Sequence, residues 1–141
     1  MQAYEQENDV ESAATAIFLI VSALFCLATT IVAMVDPTKF GQRLGLRPQG
    51  ADGHNEIRAQ YAGFFLAVAV VDVLSIAAVL SIRIGLIANA MVFGGLFFGR
   101  LVSLVVDRKL GPYGSLVFAL FFIDGIGFGL SMLLSVLSRS L

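Results

Sequence analysis

Four long apolar segments dominate this sequence and limit the folds open to it. They cover roughly residues 13–35, 57–80, 84–106 and 115–137. Each is close to the ~20 residues that a helix needs to cross a ~30 Å hydrocarbon layer. Hydrophobic residues make up 58% of the 141 residues and charged residues only 13%, whereas soluble domains hold roughly 25% charged residues. The sequence therefore predicts an all-α integral membrane protein built as a four-helix bundle.

The polar segments between the spans predict one compact domain. The linker "DPTKFGQRLGLRPQGADG" is rich in Pro, Gly and charge, "SIRI" is a minimal turn, and "DRKLGPYG" pairs charges with a Gly-Pro turn. The segment before the first span is acidic, unlike the basic start of a signal peptide, so we expect the first span to be retained. This division predicts an N-terminal tail over residues 1–12 and a single four-span domain over residues 13–141.

Basic residues flank one side of the predicted bundle more than the other. Arg83 and Arg139 flank the side of the two termini, and six residues flank the opposite side: Lys39, Arg43, Arg47, Arg58, Arg108 and Lys109. Because Lys and Arg favour the cytoplasmic side, both termini are expected outside, in the periplasm of a bacterial cell. The basic segment "TKFGQRLGL" fits either a short helix lying in the membrane interface or a solvated loop.

Charge and motifs narrow the function classes. A net charge of -1 without a basic cluster excludes nucleic-acid binding. The single histidine, His54, has no neighbours at metal-ligand spacing, so neither a metal nor a cofactor is predicted. The chain has no nucleophile elbow, phosphate-binding loop or Cys-His arrangement, and catalysis therefore has no support from motifs. The lone Cys26 lies in an apolar run and is expected to be a small buried side chain.

Small residues recur every four positions on three of the spans. This spacing predicts grooves where another helix backbone approaches closely, which is a common way for helices to pack in lipid. The predicted packing residues are Ala59, Gly63 and Ala67 on the second span, Gly95, Gly99 and Ser103 on the third, and Gly125 and Gly129 on the fourth.

Polar residues interrupt the apolar spans at positions that share helix faces. A charge at the centre of a span costs roughly 2.5 to 3.5 kcal/mol, so such residues should face the bundle interior and find partners. Helical spacing aligns Arg58, Tyr61 and Asp72, and Arg100 can reach Asp124 across neighbouring spans. The predicted polar network or ligand-binding set is Asn55, Glu56, Arg58, Tyr61, Asp72, Asn89, Arg100, Asp107 and Asp124.

Two interpretations of this polar set are open. In one, it is an internal network that stabilises the bundle. In the other, it lines a cavity that holds a lipid- or quinone-like ligand, or it passes protons through Asp72 and Asp124. The first function class is a non-enzymatic binding protein or accessory subunit, the second a transporter or proton relay, and a distant third a lipid-modifying enzyme. Membrane lipids are expected partners, and transport by four spans would require a homo-oligomer or a larger complex.

Several motifs carry a resemblance to a known family. "VDPTKF" with "LGL" follows the first span, "NEIRAQYAGFFLA" opens the second, "GRLVSLVVD" closes the third, and an acidic residue lies midway through the fourth. In this order they resemble a family of small four-helix bacterial membrane proteins of unknown function. The resemblance implies a bacterial inner-membrane protein with the motifs NExRxxYxG and GRxxSxxxD. One departure is Arg108, where the family often has glycine.

Overall fold

The computed structural model describes residues 2–107 and 115–138, and these contain helices and turns but no β-strand. The second long helix is continuous but includes one π-helical segment. The all-α prediction is confirmed. In chain order the elements are α1 (Gln2–Val35), α2 (Pro37–Arg43), α3 (Gly50–Ile57), the π-helical segment (Arg58–Gly63), α4 (Phe64–Ile76), α5 (Ile82–Asp107) and α6 (Ser115–Leu137).

Four of the helices are long and apolar enough to cross a membrane, as predicted. Their apolar parts are Ser12–Val35, Gly50–Ile76, Ile82–Val106 and Leu116–Leu137. The helix boundaries differ from the expected span boundaries. Hydropathy shows which residues suit hydrocarbon, but a helix can begin in the polar sequence before them. Residues 2–11 are helical and continuous with α1, and the second helix begins at Gly50 and ends at Ile76.

The linker after α1 contains the short helix α2, so part of this segment is helical, and its position in the membrane interface stays a prediction. The Asp36 carboxylate caps its start by accepting a 2.9 Å hydrogen bond from the Lys39 backbone N–H. This bond, together with the Lys39 ammonium, lowers the pKa of Asp36 below its ordinary value. The helix ends at Arg43, and just beyond it Gly45, with a φ of +78°, lets the Leu46 N–H turn back to the Gly41 carbonyl.

Pro48 packs between α2 and the start of the second long helix. A Cβ on Gly41 would lie 2.9 Å from Pro48 Cδ, and a Cβ on Gly53 would lie 2.9 Å from the Pro48 backbone. Both positions therefore need glycine for close contact. Thr38 Oγ1 also lies 2.8 Å from His54 Nε2 and joins α2 to α3. These contacts hold α2 across the ends of the spans.

The bundle is built from two helix pairs. α1 packs mainly against α4 and the π-helical segment, α5 packs mainly against α6, and α4 joins α5. Leu19, Leu86 and Leu134 form one buried cluster, and Cys26 and Phe65 belong to another. Many large apolar side chains, such as those of Met91 and Val105, are exposed on the bundle surface, as expected where a helix faces lipid.

Most of the small residues predicted to pack against another helix are exposed in the single chain. Ala59, Gly63, Ala67 and Ser103 are exposed, and a Cβ on Gly95, Gly99 or Gly129 would meet nothing within 4 Å. The close contacts between α5 and α6 are instead made by phenylalanine rings lying on glycines. Phe97 lies on Gly125, the one predicted position at a contact, and Phe93 lies on Gly127. The aromatic rings therefore fill the space between α5 and α6, and the two helix backbones do not need to approach closely.

Candidate functional site

A cavity of about 410 Å³ opens where α1, α2, the π-helical segment, the start of α4, α5 and α6 meet. We call it the α2 cavity. It lies at the end of the bundle that carries α2. Most of its wall is apolar, with a few polar groups between the apolar side chains. The residues that line it include Phe40, Arg43, Tyr61, Leu96, Arg100, Leu120 and Asp124.

An ion pair forms part of the cavity wall. Arg100 Nε on α5 donates to Asp124 Oδ2 on α6 at 2.6 Å. The Asp124 side chain is 2% exposed and the Arg100 side chain 26% exposed. The buried carboxylate thus has a partner, as a charge within a span requires. Among the described residues, Asp124 is the only hydrogen-bond partner of Arg100, and it uses one of the five guanidinium N–H groups.

Two further donors line the cavity without an acceptor. Within the described part of the chain, neither the Arg43 guanidinium nor the Tyr61 hydroxyl makes a hydrogen bond. The Tyr61 ring packs on Phe40 of α2, with centroids 5.1 Å apart. Arg100 also borders a second cavity of about 340 Å³ between α5 and α6. The site therefore offers several unpaired N–H and O–H groups beside apolar walls.

The π-helical segment shapes the wall that carries Tyr61. Its wider turn is closed by a hydrogen bond from the Phe64 N–H to the Ala59 carbonyl. Thr30 on α1 donates to the Ala62 carbonyl at 3.1 Å, so the irregular backbone is fixed to α1. Single π-helical turns inside α-helices are frequent at functional sites. Here the segment lies within the polar start of the second span.

A second polar centre lies toward the opposite end of the bundle. Asn89 Nδ2 on α5 donates to Asp72 Oδ1 at 2.6 Å and to the Gly85 carbonyl at 2.9 Å. The Ser22 hydroxyl on α1 donates to Asn89 Oδ1. Asp72 and Asn89 are fully buried, and within the described residues Asp72 Oδ2 and Ser75 Oγ have no partner. This Asp72 centre joins three helices, and the described residues place no cation on it.

Three of the remaining predicted residues, Asn55, Glu56 and Arg58, join neither centre among the described residues. Asn55 and Glu56 are exposed, and Glu56 accepts a bond from Gln60 on its own helix. Arg58 is exposed and makes only a long, 3.4 Å contact with the Met34 carbonyl. The side chain of Asp107 lies outside the described residues. The predicted set is therefore not brought together in one polar compartment, because Asn55, Glu56 and Arg58 are exposed, whereas Tyr61 lines the α2 cavity.

Sequence reasoning also missed residues that belong to the two centres. Ser22 and Ser75 were not predicted, although a signal exists on α1. Its buried polar residues Thr15, Ser22 and Thr30 recur at intervals of seven and eight residues, which places them on one helix face. Arg43 was expected to mark topology and, on an interfacial helix, to face anionic headgroups, but not to line a cavity, because a flanking charge gives no sign of the space beneath it.

Comparison with known proteins identifies the family of the chain. A family model described as a domain of unknown function, DUF4345, matches residues 14–126. The chain belongs to the DUF4345 family. The resemblance to a family of unknown function is thereby confirmed. The DUF4345 match includes both the Asp72 centre and the Arg100–Asp124 pair. No curated protein and no solved structure matches the chain.

Proposed function

We propose that this protein is a non-enzymatic membrane protein that binds an amphipathic, lipid- or quinone-like ligand in the α2 cavity. The observation that carries this proposal is the combination of apolar walls with unpaired donors on Arg43, Tyr61 and Arg100. A volume of about 410 Å³ lies within the range of small-molecule sites, roughly 300 to 1,000 Å³. The apolar walls suit a hydrocarbon tail, and the donors suit a polar headgroup.

The absence of tryptophan from the chain permits a direct test of ligand binding. Phe40→Trp places a single tryptophan in the cavity wall, and Phe64→Trp places one on the outer surface of the bundle. A brominated phosphatidylglycerol or a decyl-benzoquinone, added to protein in detergent, should quench the first tryptophan saturably. Quenching of the tryptophan in Phe64→Trp should instead rise in proportion to the concentration of probe in the micelle, without saturation. Equal, non-saturating quenching of both would contradict the proposal.

We further propose that the α2 end of the bundle faces the cytoplasm of a bacterial cell, with both termini in the periplasm. The excess of Lys and Arg around α2 supports this orientation. In a Cys26→Ala background, a cysteine at Ser81 should react with a membrane-impermeant thiol reagent in intact cells. A cysteine at Gln49 should react only after the membrane is opened. The reverse pattern would place the cavity on the outer side.

The alternative function, a proton relay or transporter using Asp72, Arg100 and Asp124, has weaker support. Phe93 and Leu96 lie on α5 between Asn89 and Arg100 and pack against apolar neighbours. This apolar layer separates the two centres. Proton uptake by vesicles that contain the protein, lost in Asp72→Asn, would favour the relay. An accessory role in a larger complex stays a prediction, and a subunit that co-purifies in fixed stoichiometry would support it.

A further inference from the structure

We propose that the ligand of the α2 cavity is an anionic phospholipid whose phosphate is bound by Arg43 and Arg100. This inference rests on the proposed function and specifies the ligand class. The first ground is charge. The charged residues that line the cavity are two arginines and one aspartate, so the lining carries a formal excess of one positive charge, and Asp36, which interacts electrostatically with Arg43, is not among the lining residues. A headgroup with one negative charge makes this site neutral.

The second ground is the type of donor. Asp124 engages only the Nε of Arg100, so both terminal amino groups of its guanidinium are free within the described residues. A planar guanidinium binds phosphate oxygens through paired N–H groups. Arg43 supplies a second such group, and the Tyr61 hydroxyl supplies one more donor. Phosphate has enough acceptor oxygens for all three, whereas a quinone carbonyl has two lone pairs and no charge.

The third ground is the contrast with the rest of the cavity. Leu96, Leu120 and their apolar neighbours line the cavity beside the donors. They offer no group that would favour a free inorganic ion, but they suit acyl chains. The shared chemistry is therefore a phosphate with attached hydrocarbon. A free phosphate would use the arginines and leave the apolar walls uncovered.

The test compares headgroups on the same acyl chains, with Phe40→Trp as reporter in detergent. The probes are brominated phosphatidylglycerol, phosphatidylcholine and diacylglycerol, with inorganic phosphate and decyl-benzoquinone as competitors. Phosphatidylglycerol should bind most tightly, and added salt should weaken its binding. Phosphate and the quinone should not displace it. Arg43→Ala should weaken phosphatidylglycerol binding about tenfold, the loss expected for a hydrogen bond to a charged group.

Matched variants separate a specific site from general attraction to a basic surface. Arg47→Ala removes another exposed arginine of the same linker that does not line the cavity, so it should leave binding unchanged. The double variant Arg100→Gln with Asp124→Asn removes the buried pair together, which avoids a lone buried charge. It should bind phosphatidylglycerol more weakly and keep its affinity for diacylglycerol.

The outcomes distinguish the two proposals. Equal saturable binding of diacylglycerol, phosphatidylcholine or the quinone would overturn the anionic-ligand proposal and leave amphipathic binding standing. Equal losses of phosphatidylglycerol affinity in Arg43→Ala and Arg47→Ala would also overturn it, because the lipid would then be attracted to the basic surface in general and not to the cavity. Displacement by inorganic phosphate would assign the site to the free ion. Absence of saturable quenching by every probe would contradict both proposals.

Discussion

Asp72 and Asp124 are both buried carboxylates within the spans, and both take a partner from α5, but the partners differ in charge. Asp72 accepts from the neutral amide of Asn89, whereas Asp124 accepts from the guanidinium of Arg100. The two α5 residues are eleven positions apart, about 16 Å along a helix. One helix therefore supplies an uncharged partner toward one end of the bundle and a cation toward the other.

The surroundings of the two carboxylates differ in the same way. The Asp72 centre is closed, and α1, α4 and α5 meet there around buried Ser22 and Asn89. The Arg100–Asp124 pair borders the α2 cavity, and its arginine is partly exposed. A buried charge without a counter-ion is usually neutralised by a proton. The comparison suggests a neutral, structural Asp72 and an ionised Asp124 whose arginine also faces a ligand site.

The largest expected effect comes from breaking the ion pair. Arg100→Ala or Asp124→Ala leaves one charge buried alone, a change that costs roughly 3 to 5 kcal/mol in soluble proteins. Each should lower the melting temperature in detergent, and the double variant should lose less than the sum of the single changes. Thermal unfolding of the four proteins gives the coupling. Additive losses would show that the pair contributes no coupling energy.

A smaller effect should follow from separating α6 from α5. A Cβ on Gly127 would lie 2.8 Å from Phe93 Cγ, whereas one on Gly129 would meet nothing within 4 Å. Gly127→Ala should therefore cost about 1 to 3 kcal/mol of stability, the usual cost of overpacking. Gly129→Ala is the control, and it should be neutral or slightly stabilising. Equal melting temperatures for the two variants would contradict the observed contact.

If Asp72 is neutral and Asp124 is ionised, replacing each aspartate by asparagine should lower stability by different amounts. Asp72→Asn keeps the shape of a protonated carboxyl and its acceptor for Asn89, so it should cost less than about 1 kcal/mol. Asp124→Asn removes the counter-charge of Arg100 and should cost clearly more. The measurement is again thermal unfolding in detergent. If Asp72→Asn is as harmful as Asp124→Asn, Asp72 is ionised and the comparison fails.

Asp36 provides a solvent-exposed reference for the two buried carboxylates, with the smallest expected effect. Its pKa is lowered in the folded protein, so its cap contributes stability above the ordinary aspartate pKa of 3.8. That contribution is lost as the pH falls through the lower folded value. Fluorescence of Phe40→Trp on α2 should change over this acidic range. Asp36→Asn, which caps without titrating, should remove the change, and an unchanged titration would assign it to another group.

The four spans, their helical nature and the membrane class follow from the sequence alone. Apolar length and the low share of charged residues leave few other folds open. The short helix α2 was one of two open interpretations. The start and the end of this helix depend on the Asp36 cap and the turn at Gly45, which are local features of the sequence. The reach of Arg100 toward Asp124 also follows from helical rise, since both lie at similar depths on consecutive spans.

The tertiary structure decided which faces meet. Helical periodicity places residues on a common stripe but does not say whether that stripe faces another helix or lipid, because both surroundings are apolar. For this reason Gly95 and Gly99 were expected at contacts and lie exposed, while Gly127 under Phe93 was not expected. The α2 cavity has the same origin. It is formed by side chains from six separate helical segments, and no local pattern records the space between them.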